Sequence, residues 1–401
     1  DHTSEVVVKG DHFIAGQTAP SPGILMTKGT ITLGYSNTWL EHLQIRIGDE
    51  AGSPSFNQRD ALQISSYSRP AVANVHARNL SVSWAIDENV STFGDTTNTS
   101  ITDSIIGEGL RFSYHNEGAG DEEHSSGMII GEGTRKATIA RNLFIHNKDR
   151  NPLLKNNAQA EFINNFIYNH GPTQKSNTPR MEYHSTSLGL SYFDLIGNFM
   201  KPGVNSLANM YGLYVDPGLP VGNKYYVRNN RGDTRSTEAL PEIAWVKPGM
   251  EANQSASPLL NITTTESIID VDQLLDYLQA NAGSRYWERN AIDERYFENA
   301  RLGTGQIVDC VVTDRCTSGD IQVPEGGFPT MAVNTRTVDC ATDYNILEVR
   351  AFLAPYEGGL EPTPTPTHTP TPTITPGGPT PLPTATPNPN GRRRITLMGA
   401  G

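Results

Sequence analysis

Short apolar stretches headed by asparagine recur through the first half of the chain: RNLSVSW from Arg78, RNLFIHN from Arg141, INNFIYN from Ile163 and IGNFMKP from Ile196. Measured at the residue before the apolar stretch, Asn142 and Asn165 lie 23 residues apart, Asn79 and Ser104 lie 25 apart, and Ser104 and Asn142 lie 38 apart. A unit of 23 to 25 residues with one inserted loop fits a coil of three short strands. Each coil stacks on the one below and together they bury a continuous core. A β-sandwich in which the asparagines recur by coincidence is the alternative.

Composition agrees with an all-β body. Thirty-seven glycines and a charged fraction of 18% suit turns and strands rather than long helices. The 401 residues, 36% of them apolar, suffice for a large core, and no stretch approaches the ~20 consecutive apolar residues of a membrane span. A net charge of −12 argues against nucleic acid as a partner. It also means that an anionic polymer would need a local cationic patch or a bound metal.

The chain divides by composition. Residues 1–231 read as the β body and 232–360 as an extension packing against it. Residues 361–391 form a Pro/Thr-rich linker expected to be extended, and 392–401 an unstructured tail. Such a spacer implies a further module that binds carbohydrate or anchors the protein. In the extension, Ile268, Val271, Leu274, Leu275 and Leu278 fall at helical spacing with Gly283 placed for a C-terminal cap, and a second helix is expected over Glu288–Ala300. Cys310, Cys316 and Cys340 allow one bridge, all of them outside the main body. No charged and apolar leader opens the sequence, which is consistent with a removed signal peptide or a start inside the gene.

Several blocks in order resemble bacterial pectate lyases: DHFIAGQTAPSPGI from Asp11, LEHLQIRIGDE from Leu40, SVSWAIDENVS from Ser81, HSSGMIIG from His124 and HNKDRNPLLK from His146. A further block, Asn281–Asp309, resembles the C-terminal segment of the same group, so the resemblance covers most of residues 11–310. It implies a right-handed parallel β-helix, a secreted extracellular enzyme, a monomer, an acidic polysaccharide substrate, and calcium-assisted β-elimination of polygalacturonate. In that group a longer segment precedes the AGQTAP block. Here 14 residues precede Ala15, so the edge of the first coil needs cover from another segment.

The chemistry asks for particular residue types. The proton at C5 of a uronate lies α to a carboxylate and is barely acidic until that carboxylate is neutralised. Calcium takes several hard oxygen ligands. The resemblance places metal carboxylates near WAIDENVS, at Asp87 and the adjacent Glu88, although strand alternation would send the two to opposite faces unless the backbone turns there. A solvated turn is the competing reading of this triplet. The family's Arg-x-Pro-x-x-Arg spacing falls on Arg150-Asn151-Pro152-Leu153-Leu154-Lys155, which implies Arg150 as proton abstractor and Lys155 as a point-charge clamp on a substrate carboxylate. A pair with Asp149 is the bland alternative for Arg150.

Three positions depart from the family pattern: Arg78 and Ser91 where acidic residues are usual, and Ser126 where a lysine is usual. Asp60 or the loop GAGDEEH (118–124) would then hold the calcium differently, or the preference would have shifted, or activity would be lost. His115, His124, His146 and His170 lack the paired spacing of a zinc site. Trp84 reads as core packing, and Tyr168 and His170 as candidate cleft residues. A non-catalytic carbohydrate-binding β-helix is the second reading. A β-helix glycosidase is the third, needing paired carboxylates roughly 6.5 to 9.5 Å apart for inversion or closer for retention.

Overall fold

The computed structural model describes residues 5–49, 59–67, 69–113, 123–173, 178–182, 189–260, 268–311, 316–329, 331 and 394–396. The linker at 361–391, Cys340 and most of the acidic loop at 118–124 lie outside these residues. Strands alternate among three parallel sheets in the fixed order first, second, third, first, which makes a parallel β-helix. The first sheet stacks Val6–Val8, Ile31–Leu33, Leu62–Ser65, Glu88–Phe93, Ser126–Ile130, Leu153–Leu154, Arg180–Met181 and Tyr214–Val215. The second runs from His12–Ala15 to Lys224–Arg228 and the third from Ile24–Met26 to Phe199–Lys201. Inside, aliphatic residues from successive coils lie over one another: Ile31, Leu62, Val90 and Met128 form one column.

The corner between the second and third sheets explains the asparagine signature. The Ser104 amide donates to the Asn142 side chain, the Asn142 amide to Asn165, the Asn165 amide to Asn198, and the Asn198 amide to Asn230. Every side chain in this ladder is almost wholly buried. Each therefore satisfies a turn amide that would otherwise be left unpaired away from water. The residue before each rung takes the left-handed conformation, at Asn79, Asp103, Arg141, Asn164, Gly197 and Asn229. Asparagine, aspartate and glycine tolerate that conformation best. Ser104 stacks on Leu80, whose amide donates to its hydroxyl, and not on Asn79. The coil spacing there is 24 residues, because Asn79 fills the left-handed slot and not the rung.

The extension packs on the outer face of the third sheet. Ile105, Leu143, Ile145, Phe166 and Tyr168 form one cluster with Leu274, Leu278, Ile292, Tyr296 and Phe297. The first helix spans Leu274–Asn281 after a 3-10 turn over Val271–Gln273, so Ile268 falls outside it, while Gly283 has the positive φ of 92° expected beyond a helix end. The second helix spans Ala291–Leu302 and starts later than its apolar pattern suggests. The Asn290 side chain accepts from the amides of Ile292 and Asp293 and fixes the start. A fully buried ion pair, Arg46 to Asp293 at 2.7 Å, ties this helix to the coils. Trp84 is core, with its indole N–H donating to Glu108. Cys310 and Cys316 form a disulfide. The expected tail is not wholly unstructured: Arg394–Thr396 pairs in parallel with His12–Ala15 and covers the edge of the first coil.

Replacing Asn198 with alanine would strand the Asn165 amide and remove the side-chain acceptor and the side-chain donor to Phe162 and Asn230 that join the coils, at about 1–3 kcal/mol per buried group left unsatisfied. A urea-denaturation midpoint unchanged from the parent would contradict this account of the ladder.

Candidate active site

The charged groups gather on one end of the first sheet. Glu88 opens the strand Glu88–Phe93, and in the next coil its register partner is Ser126, which bridges in turn to Asp149. Asp87 lies in the turn before this strand, where the amides of Ile86 and Asp87 both donate to the Arg59 carbonyl. That turn breaks the alternation, so Asp87 and Glu88 serve one site and not two faces. Ligand atoms of Asp87, Glu88 and His124 all lie within 4.8 Å of one another.

Arg150 comes to this cluster from the loop before Leu153, with a backbone φ of 53° that is costly for a residue with a β-carbon. Its Nη1 contacts Glu88 Oε1 and lies 3.8 Å from Asp87 Oδ1. The Asp149 carboxylate takes the Arg150 backbone amide at 2.7 Å, and the Arg150 side chain goes to the acidic cluster in place of the alternative pair with Asp149. Burial, helped by Arg180, holds the Arg150 guanidinium below its ordinary pKa, while Asp87, Glu182 and Asp60 pull the other way.

Asp60 completes the cluster from the preceding coil. It accepts from the Glu88 amide at 3.1 Å and from the Ser91 hydroxyl. Burial, and then the neighbouring charge of Asp87, push its carboxyl up to about 8. Burial likewise raises Asp149 to about 6. Ser91 and Ser126 do stand at the site, and the Ser126 hydroxyl is buried without a hydrogen-bond partner among the described residues. Arg78 does not. It lies on the second sheet and pairs with Asp103, so it replaces no ligand here.

Lys155 lies further along the same sheet, its Nζ 3.3 Å from Glu132 and 3.8 Å from Glu182. Beyond it Arg180 makes a two-pronged bond to Asp216 at 2.9 and 2.8 Å. His124, named in the sequence only for lacking zinc-site spacing and as the end of the 118–124 loop, has its Nε2 2.6 Å from Asp87 Oδ1, and sequence reading passed over the Arg180–Asp216 pair. No local spacing marks them, because each reaches the site through coil stacking. Tyr168 and His170 are not cleft residues. Tyr168 is buried beneath the extension and donates to the Thr304 carbonyl, and burial lowers His170 to about 4. His115 lies outside the described residues, and burial lowers His146 to about 4.

As a donor set, Asp60, Asp87 and Glu88 suit a hard cation. Asp87 and Glu88 converge, and Asp60 from the adjacent coil accepts from the Glu88 amide, its carboxyl raised by burial and by the charge of Asp87 against the opposing pull of Arg150 and His124. His124 is a poor ligand for such an ion and is better placed to orient Asp87. The Asp87–Glu88 pair is closer than the separation an inverting glycosidase needs.

No family model matches the sequence. It is 31% identical over 344 residues to a probable pectate lyase C of Neosartorya fischeri, covering 82% of this chain and 70% of the relative. It is 34% identical over 376 residues to a probable pectate lyase C of Aspergillus oryzae, covering 87% and 80% respectively. Among solved structures, a pectate lyase from Paenibacillus sp. 0602 matches with a TM-score of 0.46 at 12% identity, over 74% of this chain and 80% of that one.

The folded chain keeps the Asp60 proton to about pH 8, whereas an unfolded aspartate loses it near pH 4. Between those values the unfolded state binds fewer protons, so Asp60 makes stability fall as pH rises. In chelator, the urea midpoint of the parent should therefore decline relative to Asp60→Asn from pH 4 to 8, and added calcium should shrink the decline. Parallel curves would show that Asp60 does not carry the strained proton.

Proposed function

The chain belongs to the pectate lyase family, and from that premise we propose that it cleaves polygalacturonate by β-elimination with Arg150 as the base. The observation that carries this reading is the position of the Arg150 guanidinium, buried enough to lower its pKa and set against the acidic cluster on an open sheet face. Neutral guanidine is a strong base, and its supply at neutral pH grows as the pKa falls. Asp87 is foremost among the groups that now hold that pKa up. Engaging its charge elsewhere releases Arg150 toward the neutral form.

Asp60, Asp87 and Glu88 would hold calcium. When bound, calcium supplies the positive charge that neutralises the uronate carboxylate and acidifies the proton at C5. Lys155 offers a point charge to a second carboxylate once the polymer displaces Glu132 or Glu182. Arg150 takes the C5 proton, the electron pair of the former C–H bond becomes the new C4–C5 double bond, and O4 leaves with the C4–O4 pair and takes a proton from water. The described residues include no helix long and apolar enough to cross a membrane. A polymeric plant-wall type of substrate and the Pro/Thr-rich spacer fit a secreted protein whose linker carries it to a surface.

Arg150→Ala should reduce the rise in ultraviolet absorbance from the conjugated 4,5-unsaturated product by about a hundredfold or more on polygalacturonate. Chelator should abolish the rise in the parent, and Lys155→Ala should raise KM more than it lowers kcat. Full activity in Arg150→Ala would remove the arginine from the mechanism, and reducing sugar without the absorbance would replace elimination by hydrolysis.

A further inference from the structure

The end of the first sheet beside Lys155 carries two stacked aromatic rings. The outward row in register there reads Ser65, Phe93, Gly131, Lys155, Glu182 and Asp216. Phe93 lies over Gly131, where any Cβ would overlap its ring. Tyr67, just past the strand Leu62–Ser65, stacks on Phe93 with ring centroids 5.6 Å apart and planes 24° apart. Tyr67 itself remains 56% exposed. Two aromatic rings thus form a shelf on the same sheet face as the acidic cluster, with one side open to solvent.

Beyond the carboxylate that Lys155 takes, the charges around this shelf are unsuited to a further one. Glu132 and Lys155 are the charged groups that act on the Tyr67 phenol. Lys155 is already matched by Glu132 and Glu182, and Arg180 by Asp216 and Glu182. In this stretch three carboxylates face two cations. The row nearer Arg150 presents Ile129 and Leu153, whose chain neighbours Met128, Ile130 and Leu154 fill the interior. Arg180 follows Leu153 in that row and is held by Asp216. A free carboxylate on the shelf would meet Glu132, whereas a methyl ester carries no charge and adds an apolar group against the rings.

We propose that Tyr67 and Phe93 form a subsite that takes a methyl-esterified galacturonate residue, so that the enzyme prefers partly esterified pectin to fully de-esterified polygalacturonate. The inference rests on the lyase reading above for its substrate class. It assigns Tyr67 and Phe93 as ring-stacking residues and Glu132 as the group that rejects the charged sugar.

The test measures binding, by calorimetry, of hexagalacturonate and of partly methyl-esterified hexagalacturonate to the whole chain carrying Arg150→Ala, so that nothing is cleaved. The esterified ligand should bind more tightly. Adding Tyr67→Ala should weaken it about tenfold and the de-esterified ligand by less than about threefold, as the loss of one stacked ring implies. Tyr67→Phe keeps the ring and should keep the preference. Glu132→Gln leaves the rings in place and should narrow the preference by strengthening the de-esterified ligand. Tighter binding of the de-esterified ligand to the parent, equal losses on both ligands in Tyr67→Ala, or an unmoved ratio in Glu132→Gln would each overturn the proposal. Absence of unsaturated product from the protein with Arg150 intact would instead overturn the lyase reading, and the binding ratios would still decide the shelf.

Discussion

Parallel stacking of coils at one strand spacing is the constraint on which everything else depends. Strands in a sheet sit about 4.8 Å apart, so a residue repeated at the same point of each coil meets its copy at a hydrogen-bonding separation. At the corner between the second and third sheets this turns single asparagines into a buried ladder from Asn142 to Asn230. In the interior it turns single aliphatic residues into columns. Because each coil contacts only its neighbours, an error of register at one turn would displace every side chain beyond it.

The same stacking builds the site, with the opposite energetic sign. Asp60 from one coil and Asp87 and Glu88 from the next are brought together although their charges repel, and burial adds to the cost. Arg150 from a third coil offsets part of it, at a backbone φ unfavourable to its residue type. The arrangement is stable because the ladder and the columns over-determine the backbone beneath it. Unfavourable charge and unfavourable backbone geometry meet at one place, as expected where a fold maintains a functional centre.

Much of this was legible before any coordinates. The asparagine-headed strands gave a three-strand coil, since the ladder needs an amide side chain once per turn. The spacing from Arg150 to Lys155 marked a charged loop, and the WAIDENVS block marked the acidic turn at Asp87 and Glu88. One slip of frame had a cost. Counting from Asn79 in place of Leu80 gave a false spacing, and setting Arg78 among the ligands suggested a loss that does not exist at the site. A left-handed corner residue and a ladder rung are both asparagine in this chain, and composition cannot tell them apart.

The sequence by itself determined the elements that repeat: short apolar strands, their corner residues, the amphipathic pattern of the extension, and the motif around Arg150. Local spacing encodes these, because each is a property of one coil. Tertiary structure alone decided that Asp60 joins Asp87, that His124 reaches the same carboxylate, that Arg180 is spent on Asp216, and that Tyr67 lies over Phe93. These pairings join coils whose lengths vary with inserted loops, from 23 residues between Asn142 and Asn165 to 38 between Ser104 and Asn142. Sequence separation therefore carries no fixed relation to neighbourhood. Only the register of the folded sheet does.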